Sequence, residues 1–187
     1  MRATVHPIEQ ESFTVLRSRV DLSHLPPLSR AVTERVVHSS ADLDYVTDLV
    51  LEESSLRHGL DALRRGAPVV VDVQMVAAGI TTVDAVCHIR TATARDGLTR
   101  SAAAIQDAYE QVGPGAVYVI GCAPTALFEL LAGDYAPALV IGLPVGFVGA
   151  AQSKLALRES GLPAVSNISE KGGSAVASAA LNALLYS

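Results

Sequence analysis

Short runs of β-branched and aliphatic residues alternate with helical patterns along the chain after residue 66. Four of these runs predict strands: PVVVDVQMV (68–76), DAVCHI (84–89), AVYVIG (116–121) and PALVIG (137–142). Each of the last two leads through a glycine- or proline-containing turn into a helical pattern. Alternation of strand and helix predicts βαβ units, whose parallel strands are buried on both faces.

Apolar residues spaced three or four positions apart predict helices in the more polar first third of the chain and between the strands. The predicted helices cover residues 8–17, 28–37, 54–64, 98–112, 123–131, 148–160 and 172–185, and residues 42–51 are predicted as helix or turn. This order predicts an α/β fold in which a doubly wound, mostly parallel sheet carries helices on both faces and follows a helical N-terminal segment. We expect one domain over residues 1–187.

Glycine-rich turns follow two of the predicted strands, at the sheet edge where ligands bind in doubly wound folds. Gly121 follows one strand, and Gly142, Gly146 and Gly149 lie in the longer turn after the next one. Free amide groups at helix starts can bind carboxylates or phosphates, although the same glycines also suit plain tight turns. Their spacing is not GxGxxG, so nucleotide binding is only a minor alternative.

Composition narrows the possible partners. Half of the 187 residues are hydrophobic, only 4% are aromatic and tryptophan is absent, so the core must consist mainly of Ala, Val, Leu and Ile. The formal net charge of -5 provides no basic field for nucleic acid. No apolar run is long enough to span a bilayer, and MRATVHPIEQ (1–10) lacks the apolar stretch of a signal peptide. We therefore expect a cytoplasmic protein with no membrane partner.

Metal ligation has little support in the sequence. Cys87 and Cys122 lie in apolar stretches and match no CxxC or Cys/His spacing, which favours buried, reduced thiols. The acidic residues between positions 42 and 53 match no calcium-binding loop, and we interpret them as a solvated acidic surface. No bound metal is expected.

Four polar residues are candidates for chemistry at a site. His38 stands near a predicted helix end, and histidine is the side chain that exchanges protons near neutral pH, although a lone histidine is more often structural. Asp72 interrupts a strand run, and hydrogen bonds to nearby backbone are its more common role. Arg100 begins a helix, where a cation gains nothing from the helix dipole. Lys171 precedes two glycines and is either a ligand contact or an exposed lysine.

Seven segments of the chain resemble the precorrin-8X methylmutase family and occur in the family's order. PVGFVGAA followed by SK is very specific to the family, while APTALF and DVxMVxxGI are moderately specific. The segments are IEQESF (8–13), RVVHSS (35–40), GAPVVVDVQMVAAGIT (66–81), TRSAAA (99–104), GCAPTALFELL (121–131), PALVIGLPVGFVGAAQSK (137–154) and KGGSAVASAALNALL (171–185).

The resemblance implies an isomerase of cobalamin (vitamin B12) biosynthesis. Its substrate would be precorrin-8X or cobalt-precorrin-8, and the methyl group on C-11 would migrate to C-12. The product would be hydrogenobyrinic acid or its cobalt equivalent, formed by an acid-assisted 1,5-sigmatropic shift with no cofactor. The resemblance also implies a homodimer with its sites near the interface.

Site residues follow from the same resemblance, position by position. His38 matches the histidine that is the family's proposed acid and would protonate a ring nitrogen of the substrate. The substrate carries many carboxylates, for which arginine, lysine and backbone amides are suitable partners. The implied substrate-binding residues are Ser12, Thr81, Arg100, Gly121, Gly146 and Lys171.

Three departures from the family pattern leave a second interpretation open. Glu170 stands where family members carry a cation, Cys122 replaces a common asparagine, and the segments after Thr82 and over 88–99 are shorter than usual. A corrinoid-binding paralogue or carrier without turnover is therefore the alternative to an active isomerase. A nucleotide-dependent enzyme is a weaker third interpretation.

Overall fold

The computed structural model describes residues 6–95 and 97–187. The prediction that residues 1–10 form no signal peptide falls partly on residues 1–5, which lie outside the described residues. The described strands form one sheet in the order β1-β6-β5-β4-β2-β3. They are β1 Leu49–Leu51, β2 Val69–Val71, β3 Ala85–Val86, β4 Val117–Ile120, β5 Leu139–Gly142 and β6 Ala164–Asn167. Only β1 within this sheet is antiparallel to its neighbour.

Helices connect the strands on both sides of the sheet. Their bounds are α1 Pro7–Arg19, α2 Pro27–Ser40, α3 Tyr45–Asp48, α4 Glu53–Arg64, α5 Gln74–Gly79, α6 Arg100–Val112, α7 Pro124–Ala132, α8 Ala150–Glu159 and α9 Ser174–Leu185. None of the helices in the described residues has the length and apolarity that a membrane crossing requires.

Successive strand residues enter two different cores because side chains of a strand point alternately to opposite faces. Val69 and Val71 pack with α2, α4, α5 and α9 on one face of the sheet. Val70 packs with α6, α7 and α8 on the other face. Strands β4 and β5 are buried along their whole length. The predicted doubly wound α/β fold with a helical N-terminal segment is therefore confirmed.

The sequence prediction missed two strands and overextended two others, β2 and β3. Residues 49–51, predicted as helix or turn, form β1, an antiparallel edge strand with a half-buried pattern. Strand β6 was missed because Ser166 and Asn167 are polar, although both are buried. Strand β2 ends at Val71, and α5 begins at Gln74 within the run predicted as one strand. Pairing with distant segments decided these local conformations.

Asp72 joins the end of β2 to the start of α7. Its buried carboxylate accepts hydrogen bonds from the amides of Gly121, Cys122 and Ala123 at 3.0, 2.8 and 2.7 Å. Burial raises the pKa of Asp72, and these amide donors oppose the rise. The interpretation of Asp72 as a carboxylate bonded to nearby backbone is confirmed, and the loop after β4 is fixed by it.

Lys154 donates hydrogen bonds to the end of β6 and to the loop between β6 and α9. Its side chain is fully buried, and Nζ donates to Asn167 Oδ1 at 2.9 Å and to the Lys171 carbonyl at 2.6 Å. Asn167 Nδ2 in turn donates to Asp48 at 2.7 Å, and Asp48 also accepts the amides of Ile168 and Ser169. Burial lowers the pKa of Lys154 to about 8, an effect that the charge of Asp48 partly offsets.

Replacing Asp72 by alanine is expected to lower the free energy of unfolding by about 3 kcal/mol, because three amides lose a charged acceptor. Urea denaturation measures the change. Asp134→Ala, at an exposed loop aspartate, is the control and should change stability by less than about 0.5 kcal/mol. A loss below about 1 kcal/mol in Asp72→Ala would show that the carboxylate does not hold this loop.

Lys154 is expected to make the stability of the protein rise with pH in a defined window. Its folded pKa of about 8 lies below the ordinary value of 10.5, so the unfolded chain binds more protons between these values. The unfolding free energy of the native protein, relative to that of Lys154→Met, should therefore rise by about 1–2 kcal/mol from pH 7.5 to 9.5.

Lys171→Met is the matched control for this measurement. Hydrogen bonds to Asp42 and Asp44 raise the pKa of Lys171, so this ammonium does not titrate in the same window. The control and the native protein should give parallel stability curves. Parallel curves for Lys154→Met as well would contradict the assignment of the window to Lys154.

Candidate functional site

A cavity of about 570 Å³ opens where the ends of three helices meet beside the carboxyl edge of the sheet. This volume lies in the range of small-molecule sites. Its walls come from the last turns of α2, from α5, and from the buried helix α9. The lining residues used below are Arg35, His38, Ser39, Met75, Gly79, Ser174, Ser178 and Asn182.

Close helix packing shapes this cavity. A side chain at Gly121 would come within 2.7 Å of Val76 Cγ2 and 2.9 Å of Ala177 Cβ, so glycine is required at that contact. At Gly79, an added Cβ would overlap the side chain of Ser178. The small residues in the last helix therefore serve close packing. They bring α9 against α5 and leave its first turn at the cavity.

His38 is held in the last turn of α2 by two side chains of α1. Ser12 Oγ lies 2.9 Å from His38 Nδ1. The Phe13 ring stacks on the imidazole with ring centroids 4.7 Å apart and an interplanar angle of 14°. Among the described residues only Nδ1 has a hydrogen-bond partner, so Nε2 is the nitrogen left for a ligand. The ring is thus fixed in orientation and lines the cavity.

Arg35 lies one helical turn before His38 and also lines the cavity. Its guanidinium carbon is 4.6 Å from the centroid of the Tyr186 ring and 5.7 Å from that of Phe13. Nη2 is 3.2 Å from a carboxylate oxygen of Glu9. Sequence reasoning missed this arginine, although its i, i+3 spacing from His38 places both residues on one helix face.

Ser12 and Thr81 are the predicted substrate-binding residues that the structure brings to the cavity region. Ser12 contacts His38 directly. The Thr81 hydroxyl bonds the Tyr186 hydroxyl, and the Thr81 amide is 3.4 Å from Oδ1 of the lining residue Asn182. Thr81 therefore belongs to the rim.

Arg100 and Lys171, the two predicted cations, do not line the cavity. Arg100 is exposed at the start of α6. Lys171 Nζ bonds Asp42 at 2.7 Å and Asp44 at 2.6 Å. Part of the acidic segment is therefore paired with lysine and is not simply solvated.

The two glycine amides that were expected to face a ligand are both engaged within the protein. The Gly121 amide donates to Asp72 at 3.0 Å. The Gly146 amide donates to the Glu170 carbonyl at 3.2 Å. The Gly121 and Gly146 amides are therefore not free donors in this structure, because Asp72 and the Glu170 carbonyl already accept them.

Ser174 Oγ is a polar atom whose hydrogen-bonding capacity the described residues do not satisfy. It is buried and has no hydrogen-bond partner among the described residues, and Ser174 lines the cavity at the start of α9. The N-cap of α9 is Gly173, and no side chain caps the helix there. A buried hydroxyl without a partner is suited to a ligand atom.

Comparisons with known proteins agree over almost the whole chain. The family model described as precorrin-8X methylmutase matches residues 7–187. The cobalt-precorrin-8 methylmutase of Salmonella typhimurium is 39% identical, over 96% of this chain and 93% of that protein. The precorrin-8X methylmutase of Pseudomonas aeruginosa is 40% identical, over 95% of this chain and 93% of that protein.

The fold agrees as well. A crystal structure of precorrin-8X methylmutase from Thermus thermophilus superposes with a TM-score of 0.84 at 32% identity and covers 96% of both chains. The family match covers α2, α5 and α9, which line the cavity, and α1, which holds His38. The chain belongs to the precorrin-8X methylmutase family, the isomerases of cobalamin biosynthesis.

Proposed function

We propose that this chain moves the methyl group on C-11 of precorrin-8X, or of cobalt-precorrin-8, to C-12, with His38 as the proton donor. The observation that carries the proposal is the fixed imidazole in the cavity. Ser12 and Phe13 hold the ring while Nε2 has no partner among the described residues. The product is hydrogenobyrinic acid or its cobalt form.

A positioned acid suits this rearrangement. Protonation of a ring nitrogen draws electron density out of the conjugated macrocycle and lowers the barrier to a 1,5-sigmatropic shift. The methyl group leaves C-11 and bonds to C-12 within one molecule, so the reaction consumes no cofactor. His38 Nε2–H donates the proton and recovers it when the product forms, which is general acid catalysis.

Ser12 defines which nitrogen of His38 exchanges the proton. When the imidazole is protonated on both nitrogens, Ser12 Oγ accepts the Nδ1–H bond. After Nε2 has released its proton, the same contact keeps the remaining proton on Nδ1. Ser12 is therefore a positioning residue in this mechanism, and its hydroxyl acts through His38.

Substrate contacts are proposed only where the cavity supports them. Thr81 belongs to the rim, and Ser174 supplies a hydroxyl with no protein partner inside. None of the other four predicted residues lines the cavity, so their contacts with substrate rest on the resemblance alone. They are Arg100, Gly121, Gly146 and Lys171.

A homodimer is part of the proposal, and the loop between β5 and α8 is its candidate contact. Phe147 and Val148 are 94% and 90% exposed, and Phe128 of α7 lies beside this loop at Gly149. Contiguous exposed apolar residues are typical of a protein–protein contact. A second copy of the chain that covers this loop would remove the apolar surface from water.

A cytoplasmic location is the remaining part of the proposal. Cys87 and Cys122 are free thiols. Burial raises the pKa of both thiols, which keeps them protonated and unreactive. Reduced, unreactive cysteines suit a reducing compartment.

His38→Ala is expected to lower the rate of methyl migration by at least about 100-fold, because a positioned general acid contributes that much. The visible spectrum of precorrin-8X mixed with protein follows conversion to the product. His58→Ala is the control, since His58 is exposed and lines a separate groove at the opposite edge of the sheet. The control should convert substrate at the native rate.

The same spectra separate the isomerase from a carrier. Conversion by the native protein and not by His38→Ala supports the proposed acid. A bound but unchanged spectrum with both proteins would identify a carrier without turnover. Equal rates for both proteins would exclude His38 as the acid.

Phe147→Asp is expected to weaken self-association by about 100-fold or more, because it places a charge in an apolar contact. Sedimentation velocity over a concentration series measures the shift from dimer to monomer. Ile8→Asp is the control, since Ile8 is also an exposed apolar residue but lies on α1. A native protein that sediments as a monomer at about 50 μM would contradict the dimer.

A further inference from the structure

The cavity contains few groups that could bind the substrate's carboxylates. The Ser39 and Ser178 hydroxyls donate to carbonyls of their own helices at 2.9 and 2.8 Å. The Asn182 side-chain amide donates to the Gly79 carbonyl at 2.7 Å. Arg35 is the cation among the lining residues whose charge does not depend on pH.

The Arg35 guanidinium is held in place but only partly paired. Its side chain is 24% exposed, and the rings of Tyr186 and Phe13 pack on it. The contact to Glu9 uses Nη2 alone at 3.2 Å, and Glu9 approaches from α1. An arginine has five N–H donors in a planar fork that matches a carboxylate. The remaining donors have no partner among the described residues.

The neighbouring arginine Arg17 shows a bidentate carboxylate pairing in the same region. Arg17 also lies over the Phe13 ring, with its guanidinium carbon 5.5 Å from the ring centroid. Both of its Nε and Nη2 donate to the two oxygens of Glu34 at 2.9 and 2.8 Å. It lines a separate groove between α1 and α2, outside the cavity. Arg35 thus differs from Arg17 in both location and pairing.

We propose that Arg35 binds a peripheral carboxylate of the tetrapyrrole substrate and so determines how the macrocycle sits over His38. This inference rests on the proposed function. Both residues lie on one face of α2, a single turn apart, so a carboxylate on Arg35 sets the position of the ring relative to the acid. Glu9 competes for the same guanidinium and holds it in place while the cavity is empty.

Arg35→Gln is the direct test, with affinity for hydrogenobyrinic acid and steady-state kinetics on precorrin-8X as readouts. Loss of a charged hydrogen-bond partner should raise the product Kd and the substrate KM by about 10- to 100-fold. The kcat should fall as well, by about threefold to tenfold, because the macrocycle is then held less accurately over the acid. The Kd and KM of Arg35→Lys should lie between those of the native protein and those of Arg35→Gln, because lysine restores the charge without the planar fork of donors.

Two further variants separate binding from structural support. Arg17→Gln removes an equivalent cation over the same ring and should leave Kd and KM within about twofold of the native values. Glu9→Gln removes the competing carboxylate and should tighten product binding about threefold, a change that a purely structural role for Arg35 would not produce. Thermal unfolding of each variant confirms that it is folded.

The outcomes distinguish this inference from the proposed function. If the native protein binds and converts substrate and Arg35→Gln does so with the same Kd and KM, only the Arg35 inference is wrong. A lower kcat with unchanged KM would also overturn it, because Arg35 would then act on the reaction and not on binding. If the native protein neither binds product nor converts substrate, both the inference and the proposed function fail.

Discussion

The close approach of α9 to the sheet and to its neighbouring helices is the constraint on which the site depends. Gly121 and Ala177 leave no space for larger side chains at this contact. Because α9 is buried along nearly its whole length, its position is set by packing on α2, α5 and the strands. Its first turn and its last turn then form two walls of one cavity. A volume increase at this contact would move both walls together.

Two buried charged residues fix the loops that the helices cannot reach. Asp72 satisfies three consecutive amides after β4, and Lys154 reaches the carbonyl of Lys171 between β6 and α9. Each charge is costly to bury, and each is compensated by hydrogen bonds with good geometry. These hydrogen bonds hold the loops at the carboxyl edge of the sheet in place, next to the candidate site. One of the predicted amide donors at this edge, Gly121, is occupied by Asp72 for this reason.

The sequence was informative where a pattern is local. Periodicity located the helices, β-branched runs located β4 and β5, and motif spacing directed attention to His38. The sequence could not reveal β1, whose three residues pair with β6 more than 100 positions away. It also could not reveal the pairing of Lys171 with Asp42 and Asp44, or the role of Arg35. These depend on side chains that meet only after the helices have packed, so residue type alone could not separate a ligand contact from an ion pair.

The pairing of α2 with α9 joins segments that are more than 130 residues apart in the chain. His38 and Arg35 come from the first of these helices, while Ser174 and Asn182 come from the second. Bringing together segments of such long sequence separation costs loop-closure entropy. The cavity is therefore complete only when α2 and α9 are packed together. A ligand that binds only the packed helices would raise the free energy of unfolding, so the supply of substrate would influence the lifetime of the protein.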